Sequence, residues 1–128
     1  MATLISSNDV SAGLSQLTII NTISITSYNL HGLTGQGTVL LNDLCSASKG
    51  QEIIFVQEHW LTPTNMHCIK AFSPNYTVYG VSAMEQAVSH SVLRGRPYGG
   101  VATLIHKDFS TRASCVKCAE RYIITVID

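Results

Sequence analysis

Charge is scarce in this chain and evenly divided. Only 12% of the residues are Asp, Glu, Lys or Arg, and eight basic side chains balance eight acidic ones. A chain of zero formal net charge has no whole-molecule field to gather nucleic acid or a membrane surface, so any such partner must be gripped by local groups. No apolar run approaches the length of a membrane span, and no membrane contact is expected. The N-terminus has no basic leader, and Asp9 falls where a signal peptide needs an apolar core. The expected location is therefore intracellular, nucleus or cytoplasm. There Cys45, Cys68, Cys115 and Cys118 remain free thiols and the sequon at Asn75 goes unused. Internal repeats and charge blocks are also missing.

What is present is apolar. Of 128 residues, 45% are hydrophobic, which is enough for one small domain with a core and argues against disorder. Residues 1–18 are Ser-rich and weakly patterned and read as a loosely ordered extension. Ile19 to Tyr28 is rich in Ile and Thr, a strand composition. Thr38 is placed to cap a helix running to about Lys49, with Leu40, Leu41, Leu44, Cys45 and Ala47 as its apolar stripe and Gly50 as its stop. Ile53 to Val56, four apolar residues in succession, suits a strand covered on both faces. A Pro-containing loop with a short helical turn follows over 62–75, then a strand over Tyr76–Val81, a long exposed polar loop over 82–97, a strand in GGVATLIHKDF and a last one in RYIITVID. One helix among several strands predicts an α/β or α+β layered domain.

The stretch SITSYNLHGLTGQGTVLL joins a strand to a helix through Gly32, Gly35 and Gly37, as phosphate-binding loops do. A P-loop, however, needs a Lys to reach the β- and γ-phosphates, and none is there; a dinucleotide loop needs a third Gly where Leu40 stands. The glycines read as a turn leading into a helix, and no nucleotide cofactor is expected.

Polar residues at strand ends remain. Asn29 closes the first strand of this region and Glu58 follows the second. If the two strands run side by side and parallel, both side chains emerge at one sheet edge, where ligands gather in α/β sheets. A carboxylate and an amide oxygen are hard ligands suited to Mg²⁺ or Mn²⁺.

SYNLHGL, IIFVQEHWL and RPYGGVATLIHKDF resemble three successive blocks of the endonuclease/exonuclease/phosphatase superfamily, in family order, and are closest to the endonuclease domain of non-LTR retrotransposons. The resemblance implies two β-sheets packed face to face with helices outside, a four-layer sandwich. It also implies metal-assisted hydrolysis of a phosphate ester, with Glu58 as the metal ligand, Asn29 as the active-site asparagine also near the metal, and Gln57 in support. His31 stands where members often carry Asn or Asp, and meets the substrate in this reading. DNA is the expected partner; a lipid or inositol phosphate is the alternative substrate within the family. Arg94 and Arg96, in the long loop, and the neighbouring Tyr98 are candidates to hold DNA phosphate.

The departures are specific. The family completes its site with Asp-x-Asn and Ser-Asp-His, and the chain has neither. A sandwich of this kind needs roughly 200–250 residues. Residues 19–128 therefore read as the N-terminal portion of such a domain, inactive alone. The competing expectation is a non-catalytic binding or assembly module. Sheet faces left uncovered would drive self-association. His59 and His106 are expected at the surface or in polar contacts. Cys115-x-x-Cys118 offers half of a zinc site and lacks a second knuckle, so free thiols are expected.

Overall fold

The computed structural model describes residues 2–9, 18–47, 50, 52–91 and 95–128. Its strands are β1 (Ala2–Asp9), β2 (Thr18–Asn29), β3 (Glu52–Gln57), β4 (Tyr76–Val81), β5 (Val101–His106), β6 (Ala113–Ala119) and β7 (Tyr122–Ile127). Its α-helices are α1 (Gln36–Ser46), α2 (His67–Lys70) and α3 (Glu85–Ser89), with a 3₁₀ turn at Pro63–Asn65. The fold is α+β, with one mixed sheet in the order β1-β2-β3-β5-β4 and a separate β6-β7 hairpin.

The β2–α1–β3 unit sets the site. Parallel strands need a crossover connection, and α1 is that crossover: β2 and β3 pair in parallel, with Asn29 opposite Gln57. β5 runs antiparallel to β3, so Val101 lies opposite Gln57 and Ile105 opposite Ile53. The carboxyl ends of β2 and β3 and the start of β5 thus share one edge. The end of β5 lies at the opposite edge.

Alternation divides the core in two. Ile54, Val56 and Leu104 pack with Leu41 and Cys45 of α1 and with Ile69 of α2. Ile53 and Ile105 face the other way and pack with Ile23, Phe109 and Ala113, with Ile127 of the hairpin against them. This is why the IIFV run has no polar residue: β3 is covered by helices on one face and by the hairpin on the other. The sheet faces expected to lie bare are thereby closed at these positions. Exposed large apolar side chains group on the hairpin, at Val116, Tyr122, Ile124 and Val126, with others on α1, on α3 and beside the β2/β3 edge.

Several boundaries differ from the sequence reading. Residues 2–9, expected to be loosely held, form an edge strand antiparallel to β2; backbone pairing needs no strong side-chain pattern. α1 begins at Gln36 after Gly35, without a side-chain cap, so Thr38 lies inside the helix. Its buried positions are Gly37, Leu41 and Cys45, one i, i+4, i+8 stripe, whereas Leu40 is exposed. Within the expected loop over 82–97, Ser82 and Met84 are buried and α3 forms. Glu120, in the turn between β6 and β7, accepts the Gln86 N–H at 2.8 Å and so ties the hairpin tip to the start of α3.

Candidate functional site

Three segments are laced together at the β2/β3 edge. The Leu30 N–H donates to the Gln57 carbonyl at 2.9 Å, Gly32 to Glu58 at 2.7 Å and Leu33 to His59 at 3.0 Å. On the other side of the same segment, Glu58 N–H donates to the Gly100 carbonyl and Trp60 N–H to the Gly99 carbonyl, both at 2.9 Å. The glycine-rich turn expected to do no more than redirect the chain also extends the parallel pairing past the strand ends.

The backbone here is unusual. His31, Glu58 and Trp60 have φ of 51°, 57° and 58°. The left-handed region is uncommon for residues with a Cβ and costs roughly 1–2 kcal/mol each. Three of the four non-glycine residues in that region among the described residues fall at this edge. Such conformations persist only where surrounding contacts enforce them, and they cluster at functional sites.

The Glu58 carboxylate is held by that geometry. Its Oε2 accepts the Trp60 indole N–H at 2.8 Å and the Gly99 N–H at 3.3 Å. Its Oε1 has no partner among the described residues. Glu58 lines two cavities, of about 680 and about 580 Å³, and forms part of the wall between them. Asn29 is exposed at the end of β2, and its Oδ1 accepts the His31 N–H at 3.1 Å in an Asx-type turn. Its amide N–H₂ has no partner among the described residues. The Gln57 amide donates to the Ser27 hydroxyl on the neighbouring strand at 3.1 Å.

A cation at this edge would have one carboxylate oxygen, the second lone pair of the Asn29 amide oxygen, and water. No three His, Cys, Asp or Glu side chains converge among the described residues. This donor set fits an ion that binds through one or two carboxylates and keeps most of its waters, as Mg²⁺ does. It does not fit a tetrahedral site. The Cys115 and Cys118 sulfurs touch at 2.9 Å, with no third ligand among the described residues.

The remaining candidates divide. Arg96 and Tyr98 are exposed and line the smaller cavity together with Glu58 and Trp60. Arg94 lies outside the described residues. The exposed His31 sets its ring edge-on to Trp60, with centroids 6.4 Å apart. His59, expected at the surface or in polar contacts, is fully buried and makes polar contacts. Its Nδ1 accepts the Leu61 N–H at 3.0 Å, so the ring proton sits on Nε2 and is donated to the Val81 carbonyl, also at 3.0 Å. Burial lowers its pKa from the ordinary imidazole value, against smaller opposing effects of the Val81 and Val101 backbone and the Glu58 charge. Gly100, at φ +92°, lies over this ring, and any Cβ there would collide with it. His106 and Asp108 make a His–carboxylate contact of 3.7 Å, but at the opposite edge of the sheet.

Sequence reasoning missed Trp60 and the pair Gly99–Gly100. The available signals were an aromatic residue two positions after a strand-end carboxylate, and adjacent glycines immediately before a buried strand. Comparison of the chain with protein-family models, curated proteins and solved structures finds no match.

Proposed function

We propose that this chain is a divalent-metal-dependent phosphodiester-handling domain of the endonuclease/exonuclease/phosphatase type, with nucleic acid as its substrate class. The reading is carried by one observation. Asn29 and Glu58 share the carboxyl edge of two parallel strands, and the Glu58 carboxylate is fixed there by two N–H donors with its other oxygen open. In this reading Glu58 and the Asn29 amide oxygen hold Mg²⁺ or Mn²⁺. Such an ion, when bound, neutralises phosphate charge and stabilises the leaving oxygen. Asn29 Nδ2 donates to a phosphate oxygen, and Arg96 and Tyr98 meet the strand beside it.

In this reading the described residues bind and orient, and two of the histidines are not placed to take a proton from water at this edge. His59 has both ring nitrogens engaged, and the His106–Asp108 pair is remote. This favours, as a second reading, a binding module without turnover.

Mg²⁺ titration separates the possibilities. Trp60 is the only tryptophan and donates to Glu58, so its emission should respond to Mg²⁺. Calorimetry should give weak binding that Glu58→Gln reduces about tenfold or more, since one carboxylate carries most of the charge of the site. Equal affinity in both forms would remove the metal assignment. Supercoiled plasmid should stay uncut in Mg²⁺ or Mn²⁺. Nicking that Glu58→Ala abolishes would favour full catalysis over the module, with His31 the first residue to test as base.

A further inference from the structure

The cavity of about 580 Å³ beside Glu58 has a second character that metal and phosphate binding do not use. Trp60 and Tyr98 both line it, with 39% and 49% of their surface exposed. They do not pack on each other. Trp60 is held rigidly at a left-handed backbone position. Its indole N–H is bound to Glu58, and its six-membered ring lies against Gly32 so closely that a Cβ there would come within 2.6 Å. His31 meets the ring edge-on. Exposed indoles are normally free to rotate or are folded onto the surface; this one is immobilised with part of its surface turned to a cavity. Arg96 lines the same cavity and brings a cation that can reach phosphate.

From this we infer that the Trp60–Tyr98 cavity takes an unpaired nucleobase, stacked on the indole, of a nucleic-acid strand whose phosphate lies at Asn29 and Glu58. The inference rests on the phosphodiester reading above and narrows it to single-stranded or locally unpaired substrate. The volume lies within the range of small-ligand pockets. Every base offers a flat π face, so a fixed aromatic ring binds bases without needing their edges. A ring that is already immobile loses little entropy on binding. Arg96 supplies charge attraction in a chain whose net charge supplies none.

The test titrates the full chain, in Mg²⁺, with an oligothymidylate, with an abasic strand of equal length and with a blunt duplex. The readouts are Trp60 emission and the anisotropy of labelled strands. The oligothymidylate should quench Trp60 and bind roughly tenfold or more tightly than the abasic strand, the usual size of one stacked base. Tyr98→Ala should remove most of that difference. Tyr98 is exposed and makes no side-chain hydrogen bond among the described residues, so this variant should fold. Trp60→Leu, followed by anisotropy, should remove the difference as well. Equal binding of abasic and base-bearing strands, or duplex binding as tight as single-strand binding without quenching, overturns the pocket. If Glu58→Gln then weakens both strands, the phosphodiester reading survives that loss. Base-dependent quenching that persists unchanged in Glu58→Gln and without Mg²⁺ upholds the pocket and removes the phosphodiester reading. Absence of binding by any strand overturns both.

Discussion

Single residues at the strand edge carry conformational constraint. His59 is the clearest case, because the fold requires it neutral: Nδ1 must accept and Nε2 must donate. Its pKa is lowered in the folded state by burial, so the unfolded chain binds the proton more readily. Stability is then complete above the ordinary imidazole value of 6.5 and falls as pH drops from there towards the lowered folded value. The urea midpoint should therefore decline as the pH falls through about 6.5, and nitrogen chemical shifts should show His59 as the neutral Nε2–H tautomer at pH 7. A His59 that is fully protonated at pH 6 in the folded protein would contradict the buried geometry. Asn29 and Glu58 were readable from sequence because strand ends can be located by where apolar runs stop. The role of His59 was not. Its burial depends on Gly100 leaving room above the ring, a contact between residues 41 positions apart.

At the scale of elements, legibility followed the strength of periodic burial. β3 was readable because burial on two faces demands an unbroken apolar run. β7 was read in RYIITVID but β6 was missed, because the connection between them is Glu120–Arg121, whereas two-residue hairpins favour Asn-Gly or Asp-Gly. α3 escaped because five residues give too little periodicity. α1 was found, but its start was set by backbone geometry at Gly35 and not by a side-chain cap. Its buried stripe can be tested directly. Leu41→Ala should destabilise the protein by about 2–5 kcal/mol in urea unfolding, the usual range for a buried leucine. A second probe lies one turn further on. Burial pushes the Cys45 thiol up to about 11, whereas Cys68 is exposed. At pH 8, iodoacetamide should modify Cys68 quickly and Cys45 only at the rate of unfolding, read by peptide mass mapping. Comparable rates would mean that α1 is not docked on the sheet.

For the whole molecule, charge balance and the hairpin act together. The sequence pI is about 6.9, and proteins near zero net charge associate most readily. Val116, Tyr122, Ile124 and Val126 add exposed apolar surface on one hairpin. Association should be strongest near pH 7. Ile124→Lys should reduce it more than Val39→Lys, which adds the same charge at an exposed site on α1. Sedimentation velocity over a range of concentrations would decide this; equal effects of the two changes would assign the association to charge alone.

The lacing at the strand edge also orders events in time. The carboxylate of Glu58 is steadied by the amide of Gly99, 41 residues later in the chain. During synthesis at roughly 5–20 residues per second, the ribosome therefore releases Glu58 about 2–8 seconds before the partner that fixes it. Long-range contacts of this kind also form late in refolding. The β2–α1–β3 unit can assemble beforehand, but its edge stays unset until β5 is laid alongside. A nascent chain would thus emerge with its acidic group present but not yet held in its folded position.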